Sequence, residues 1–479
     1  MKNTMKNKLS VGEDVDRKVF GAAFKAWCDW DVLREKRRRT KDFTYGSQWN
    51  DMVKDSLGRS LREYDKVAES GKEPLTNNVI RRLVRSVVGR FRNSVTKASA
   101  DLEDCYNANC LNEIDSRMLE EFLISGCCLQ RVDVSESGIT VDNLNMNRFF
   151  SNSTEDVRGR DCTIVGYLHD CNVGWLIKRL AIGNRGLACR IRNIYGSGDE
   201  LAAGSSLTVG VDSERYGGFL RAKGGLCRAI EVWTLEMTEI LECHDRMTAE
   251  FFLLDTSCMP DVDAENKRRD LLGLELIDAD WGVKETWHCR WYAPGGELLS
   301  HYVSPYKHGS HPFVMKLYPL TDGEVHSFVE DVIDQQKYIN RLITLIEHIM
   351  GASAKGVLLY PDTALPEGFT WKDVKRIWSS TNGIIPYSEG CNGAMPHQVS
   401  TNATDIGAYE LLSLQMQLVE EISGVGSVLQ GKATSNKGVQ MYERQVENAS
   451  ISLADIFETF YDFRRNRDDK IRHCEYADE

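Results

Sequence analysis

The chain of 479 residues lacks the short motifs that mark many enzymes. It contains neither a G-x-S-x-G nucleophile turn nor an H-E-x-x-H zinc motif, and its carboxylates are not paired in a pattern that specifies acid–base catalysis. We therefore expect no catalytic residues. Its 14 cysteines are irregularly spaced and include no C-x-x-C, so we interpret them as reduced thiols of a cytosolic setting.

Long apolar runs are also missing. No uninterrupted stretch approaches the roughly 20 residues that a membrane-spanning helix needs. The N-terminus carries Lys2, Lys6 and Lys8 without a following apolar segment, so we expect no signal peptide and no contact with a membrane. These absences predict synthesis in the cytoplasm of the producing cell.

An excess of positive charge is absent too, because the net charge is −12. A protein that grips DNA over a broad surface is usually basic, since it must neutralise phosphates. The negative net charge therefore argues against a protein that binds DNA over a broad surface. It leaves open a channel of mixed charge through which DNA slides without being held.

Two weak patterns could suggest a bound cofactor. His301, His308 and His311 lie near His288, but their spacing matches no standard zinc site, so we expect no metal. The segment Gly426–Lys432 fits G-x-x-x-x-G-K, the start of a phosphate-binding loop, yet Ala433 stands where that motif needs Ser or Thr. A helix is also predicted before it, where a P-loop requires a strand. We expect no cofactor.

The N-terminal region carries the most specific pattern. An aromatic turn, Phe43–Trp49, is followed by the polar segment Glu73–Asn78 and then by an arginine-rich stretch, Val79–Ser94. Apolar residues four apart in that stretch predict a helix, with Thr76 or Asn77 as its N-cap. Its arginines either form a solvated face, or some of them bind acidic surfaces of a neighbouring subunit or phosphate. The candidates for such an interface are Arg81, Arg82 and Arg85.

A second pattern predicts long helices in the C-terminal half. Apolar residues at helical spacing predict one helix over Glu324–Met350, and shorter patterns predict helices over Asp261–Asp280, Thr404–Ile422 and Val439–Arg467. The helix from Glu324 is either an ordinary core helix or a helix packed against its counterparts in a ring. In the second case the interface candidates are Phe328, Val332, Ile339 and Ile343.

The order of these segments resembles the portal proteins of tailed bacteriophages, in particular those of short-tailed phages, over most of the chain. The resemblance rests on Phe43–Trp49, on Pro74–Asn78, on Asp334-Gln335-Gln336 with Asn340 in a helix–hairpin–helix region, and on the loop Gly424–Gly438. It implies an α+β portal-type fold with a mixed α/β wing, a long α-helical stem, a small β-rich clip insert and a C-terminal helix.

The resemblance also implies a division of the chain. The segments it implies are a wing (1–260), a first stem helix (261–278), a clip (279–323), a second stem helix (324–352), a second part of the wing with candidate channel loops (353–438), and a C-terminal helix or short crown (439–479).

The function implied by the resemblance is that of a head-to-tail connector in the virion. Such a protein forms a homo-oligomeric ring, usually a dodecamer, at one capsid vertex, through which double-stranded DNA is packaged and ejected. Its partners would be the terminase large subunit, the head-to-tail adaptor, and the major capsid and scaffolding proteins. The candidates for DNA-channel residues are Lys355, Lys432, Lys437 and, more weakly, Arg341.

Two other functions remain open at this point. A P-loop-like enzyme that processes nucleic acid would hydrolyse ATP through Gly426–Lys432. A capsid-associated adaptor or scaffold would bind other capsid proteins without forming a DNA channel. A ring with a central hole distinguishes a portal protein from both.

Overall fold

We describe the protein from a computed structural model, which covers residues 2–474 except 56, 70, 95–98, 136–137, 153, 197–212, 223, 319, 356, 380–383, 389–394, 400–406, 427–450 and 452. Side chains are described from residue 14 onward, with the further exceptions of 94, 213–216, 351–355, 357 and 379.

Helices and antiparallel strands alternate along the chain, which confirms the predicted α+β class. The helices are α1 (Lys2–Asp29), α2 (Asp31–Tyr45), α3 (Glu63–Glu69), α4 (Val79–Ser94), α5 (Glu103–Ala108), α6 (Leu111–Ser125), α7 (Val173–Leu180), α8 (Arg185–Gly196), α9 (Ser213–Leu220), α10 (Met259–Leu271), α11 (Ile333–Lys355), α12 (Trp371–Ser379), α13 (Ala408–Ser423) and α14 (Ala454–Arg472). The strands are β1 (Met52–Lys54), β2 (Ser60–Arg62), β3 (Cys127–Ser135), β4 (Gly138–Asn143), β5 (Phe149–Ser151), β6 (Ile164–Cys171), β7 (Cys227–Asp245), β8 (Glu250–Asp255), β9 (Ile277–Tyr292), β10 (Leu298–Val303), β11 (Phe313–Leu317), β12 (Leu320–Thr321), β13 (Glu324–Val325), β14 (Val357–Leu359) and β15 (His397–Val399).

The described residues form two compact units. The first unit is drawn from residues 1–41, 84–330 and 437–479, and the second from residues 42–83 and 331–436. Each unit therefore combines segments that lie far apart in the sequence.

An antiparallel sheet organises the first unit. Its strands follow the order β10–β9–β7–β6–β5, and β8 pairs with the second half of β7. Because β7 is 19 residues long, its first half pairs with β6 and its second half extends beyond β6 as a ribbon with β8 and β9. A separate three-stranded sheet has the order β11–β3–β4.

Helix α1 packs on the larger sheet through small and aromatic side chains. Ala23, Ala26 and Trp27 are buried in one core cluster with Phe150 of β5 and Phe219 of α9. The small alanines let the helix approach the sheet, and the aromatic rings fill the remaining space.

A buried group of charges connects the strands of the first unit. Glu231 on β7 accepts hydrogen bonds from Arg131 Nη1 at 2.6 Å, His169 Nε2 at 2.7 Å and Trp233 Nε1 at 2.8 Å. Burial by itself would raise the pKa of Glu231, but the Arg131 cation and the bond from His169 hold that pKa well below its ordinary value. The carboxylate is therefore ionised and fully engaged in holding β3, β6 and β7 together.

The C-terminal helix α14 belongs to the core of the first unit. Phe460 packs against Phe91 and Phe122, and Phe463 is also fully buried. Arg467 is completely buried and bonded to Asp115, and its Nη2 donates to the Tyr106 hydroxyl at 2.8 Å. The described part of the predicted C-terminal helix thus packs in the core of the first unit. The short crown expected within 439–479 stays a prediction.

The prediction of one helix over 261–280 was wrong in its second half. Helix α10 ends at Leu271, and Gly273 adopts a φ of +65° just beyond that end. The amide of Leu274 donates to the carbonyl of Arg269, and the amide of Gly273 donates to that of Asp270. This is the glycine-terminated Schellman arrangement, and the chain then enters β9 at Ile277.

The predicted start of the next helix was also wrong. An Asp322-Gly323 turn, with φ of 53° and 77°, connects β12 and β13, and α11 begins only at Ile333. Asp-Gly is a favoured pair for a two-residue hairpin, because both positions adopt positive φ. The apolar spacing of Val325, Phe328 and Val329 had suggested a helix there.

The strands expected to form a separate clip instead belong to the two sheets of the first unit. Strands β9 and β10 extend the large sheet, and β11 pairs with β3. The expectation of a projecting hairpin over 279–323 is therefore replaced by strands that complete these two sheets.

The second unit is mainly helical. Helix α11 packs against α13, and Tyr409 at the start of α13 donates a hydrogen bond to Met350 Sδ near the end of α11 at 3.3 Å. The two helices are therefore antiparallel. Between them in sequence lie α12 and the paired strands β14 and β15.

Replacing Arg467 with Ala should destabilise the protein by about 1.5–3 kcal/mol, because buried Asp115 would lose one of its two arginine partners and keep only Arg464. Arg465→Ala on the same helix is the matched control, since Arg465 is exposed and its pair with Asp462 should contribute less than about 1 kcal/mol. Urea unfolding followed by circular dichroism measures both. Equal losses of stability in the two variants would contradict the structural role of Arg467.

Candidate functional site

The long helix α11 carries a row of buried polar side chains along one face. Gln336, Asn340 and Thr344 are four residues apart and almost fully buried, at 0%, 2% and 3% exposure. Buried polar groups need hydrogen-bond partners, because an unmade bond costs free energy in a dry interior.

Gln336 binds the backbone at the start of α4. Its side-chain oxygen accepts from the amides of Val79 at 2.9 Å and Ile80 at 3.2 Å, while its nitrogen donates to the carbonyl of Asn77 at 2.7 Å. The first amides of a helix have no partner inside that helix. One side chain from a distant helix therefore satisfies two of them.

Asn340 and Thr344 continue the same contact along α11. Asn340 accepts from the amide of Asn77 at 3.1 Å and donates to Gln48 Oε1 at 2.6 Å. Thr344 Oγ1 accepts from the amide of Leu75 at 3.0 Å. The row thus fixes the whole segment that leads into α4.

The N-cap of α4 differs from the prediction. Asn78 accepts from the amide of Arg81 at 3.1 Å and is the local cap, whereas Thr76 accepts from Trp49 Nε1 at 3.1 Å and Asn77 contributes only its backbone. The cap lies one residue later than Asn77, because the helix begins at Val79 and Asn78 directly precedes it.

The network therefore joins three stretches that the resemblance had singled out separately. Gln48 belongs to the aromatic turn, Asn77 to the segment before α4, and Gln336 and Asn340 to the long helix. Gln48 Nε2 in turn donates to the Phe43 carbonyl at 2.6 Å, which closes the turn. The sequence analysis did not give Gln48 or Thr344 a role. The i, i+4, i+8 spacing of Gln336, Asn340 and Thr344 could have indicated a row of polar side chains on one face of the helix.

Arg341 lies in a cluster of ion pairs beside this row. Its Nε donates to Glu63 Oε1 at 2.6 Å, and Lys337 Nζ lies 2.9 Å from Asp51 Oδ2. Glu63 is buried while the Arg341 side chain is half exposed. The structure thus gives Arg341, a weak channel candidate, a definite partner in its own subunit.

The lysine candidates for the channel lie at the limits of the described structure. Lys355 is the last residue of α11, and its side chain is not described. Lys432 and Lys437 lie outside the described residues. The channel role of all three stays a prediction.

The structure separates the interface candidates into exposed and buried side chains. Arg82 and Arg85 are exposed, whereas Arg81 lies over the Tyr45 ring at 4.5 Å. Val332 and Ile339 are fully buried, so packing inside the subunit already accounts for their apolar character. Two further candidates, Phe328 and Ile343, are half-buried, and Ile343 lines a cleft with Leu412 of α13.

Helix α13 has apolar residues on more than the face that meets α11. Val419 is buried and Leu412 faces α11, but Leu411, Leu414 and Ile422 are exposed at 41%, 48% and 44%. With half-buried Leu418, the three form one continuous strip along the helix, which we call the apolar strip of α13. Helix α13 was expected, but its strip was not recognised in the sequence.

A family comparison now decides the class of this protein. The sequence model of the phage P22-like portal proteins matches residues 226–467, which is just over half of the chain. The chain belongs to the family of phage P22-like portal proteins. The matched region starts just before β7, includes α11 and α13, and ends within α14. A search of curated proteins found no match.

Membership in the portal family agrees with the resemblance seen in the sequence. Within the described residues, no group of three or more His, Cys, Asp or Glu side chains is placed to hold a metal ion. None of the described helices combines the length and apolar character needed to cross a lipid bilayer. The P-loop-like segment follows the helix α13, not a strand, and Gly424 ends that helix with a φ of +65°.

Replacing Gln336 with Leu should free the amides of Val79 and Ile80 from their shared acceptor. We expect a loss of about 1–3 kcal/mol in unfolding free energy and faster hydrogen exchange at these two amides. Gln335→Leu is the control, since Gln335 lies next to Gln336 and its side-chain oxygen has no hydrogen-bond partner among the described residues. Hydrogen-exchange mass spectrometry over residues 75–82 measures the difference, and unchanged protection in Gln336→Leu would refute the anchoring role.

Proposed function

We propose that this portal protein forms a ring at one vertex of the phage capsid and serves as the conduit for packaging and ejecting double-stranded DNA. The match to the portal family over residues 226–467 carries the proposal. The ring is a homo-oligomer, with twelve copies as the resemblance implies. The protein acts as a structural component of the virion without an active site or cofactor, and it is made in the cytoplasm of the host bacterium.

The stem and clip are best assigned to the second unit. A portal stem consists of two helices that flank an insert, and the antiparallel pair α11 and α13 flanks residues 356–407. The insert has internal contacts of its own, since β14 pairs with β15 and the Tyr360 hydroxyl donates to the carbonyl of Pro386 at 2.6 Å. This assignment replaces the stem helices expected at 261–278 and 324–352 and the clip expected at 279–323. The first unit then forms most of the wing.

The apolar strip of α13 supports a role in ring assembly. A helix that shows apolar residues on two sides needs a second partner, because exposed Leu and Ile side chains are stabilised when removed from water. In a ring of identical copies the stem helices of one copy lie beside those of the next. We therefore assign the strip to the contact between neighbouring stems.

Candidate channel residues follow from the same assignment. Lys355 lies at the end of α11, and Lys432 and Lys437 lie in the segment after α13. One lysine in each copy becomes a ring of charge after assembly, which contacts phosphates weakly while the DNA moves. Because Arg341 is engaged by Glu63, we do not include it among the channel residues.

The partners follow from the conduit role. The clip would meet the terminase large subunit during packaging and the head-to-tail adaptor afterwards. The wing would contact the major capsid protein and the scaffolding protein.

Leu414→Asp should reduce ring assembly strongly, since it places a carboxylate in the apolar contact between stems. The control is Gln417→Asp, an exposed polar position of the same helix outside the strip. Mass photometry and negative-stain electron microscopy of the full-length protein measure ring mass and the presence of a central hole.

Wild-type rings with a hole wide enough for a DNA duplex, lost in Leu414→Asp and kept in Gln417→Asp, are the expected result. A wild-type protein that stays monomeric under all assembly conditions would overturn the conduit. Rings in all three proteins would leave the conduit intact and refute the assignment of the strip.

A further inference from the structure

The ribbon at the end of the large sheet carries an unusual concentration of negative charge. Residues 236–286 contain 14 Asp and Glu against 5 Lys and Arg, so their net charge is 5 − 14 = −9 within a chain of −12. This segment comprises the second half of β7, β8, α10 and the first half of β9. DNA phosphates are repelled by such a surface, so it fits a cationic protein partner better.

One face of the ribbon combines these carboxylates with exposed apolar side chains. Met237, Trp281 and Val283 are exposed at 72%, 64% and 44%, and Glu239 and Glu285 are exposed beside them. We call these five residues the acidic–apolar patch.

The strand register places all five on the same side of the sheet. Met237 is opposite Glu285, Glu239 is opposite Val283, and Trp281 is opposite Leu241. Residues directly opposite each other in an antiparallel pair share a face. Helix α10 covers the far end of that face, where Val262 packs with Leu241 and Ile277. The patch is therefore the open continuation of a face that is already used for packing.

The composition of the patch selects arginine as its partner. A guanidinium stacks on an aromatic ring and binds carboxylates through a planar fork. The patch offers Trp281 diagonally across from Glu239, and Glu285 lies four residues further along the strand of Trp281. Exposed Trp and Met are also typical of the centres of protein interfaces.

The same chain supplies a matching cationic surface. Arg85 and Arg92 are both exposed on α4 and lie seven residues apart, which places them two turns apart on one side of the helix. Binding of α4 arginines to acidic surfaces of a neighbouring subunit was one of the alternatives that the sequence left open.

Ring assembly requires two different surfaces of one chain that complement each other. We propose that the acidic–apolar patch of one copy binds the Arg85 and Arg92 face of α4 in the next copy. This inference rests on the proposed ring, and it adds a second contact that involves the first unit.

Charge exchange tests the pairing. Glu239→Arg with Glu285→Arg, and separately Arg85→Glu with Arg92→Glu, should each lower the apparent association constant of the full-length protein at least about five-fold. Combining all four substitutions in one chain should restore assembly, because the charges are exchanged and still complementary. Mass photometry at a fixed protein concentration gives the fraction in rings, and circular dichroism checks folding.

The control is Glu242→Arg with Asp280→Arg. These two residues are also exposed and directly opposite each other on the same strands, but they lie on the other face of the ribbon. They should leave the ring fraction unchanged.

Three outcomes would contradict the proposed contact between the acidic–apolar patch and α4. Normal rings in both reversed variants would refute the pairing while the ring itself stands. Loss of rings without rescue in the four-substitution variant would show that the two surfaces do not bind each other. A wild-type protein without rings would refute the proposed function and this contact with it.

Discussion

The hydrogen bonds of the Gln336 side chain are the constraint on which the second unit depends. One amide group accepts from two backbone amides at the start of α4 and donates to the carbonyl just before them. Asn340 and Thr344 extend the contact along the same helix face. Since these groups are buried, any other register of α11 against this segment would leave several of them unsatisfied. The polar row therefore specifies one arrangement more strictly than apolar packing alone would.

A single specified register of this kind suits the structural role that we propose for this portal protein. Two buried carboxylates of the first unit are each paired with a buried arginine: Glu231 is bound by Arg131, and Asp115 by Arg467. A catalytic group, by contrast, needs access to a substrate. The second unit exposes the apolar strip of α13, and the first unit exposes the acidic–apolar patch. Both surfaces are suited to contacts between copies.

Sequence reasoning recovered the class of fold and the family because strong local patterns carry both. The α4 helix, for example, follows from its four-residue apolar spacing. The predicted helix boundaries were wrong where a short turn signal interrupted a longer pattern of apolar residues. Gly273 ended α10 and Asp322-Gly323 formed a hairpin, yet the apolar residues beyond them were extended into helices. The backbone partners of Gln336 and the Glu63 partner of Arg341 lie more than 250 residues away and cannot be read from local spacing.

A cryo-electron microscopy map of the assembled full-length protein would test the central claim most directly, because it locates α11 and α13 with respect to the ring axis. We predict a closed ring in which these two helices surround the axis and the insert between them projects from one end. A ring in which α11 and α13 lie on the outer rim, away from the axis, would contradict the assignment of the stem and with it our account of the conduit.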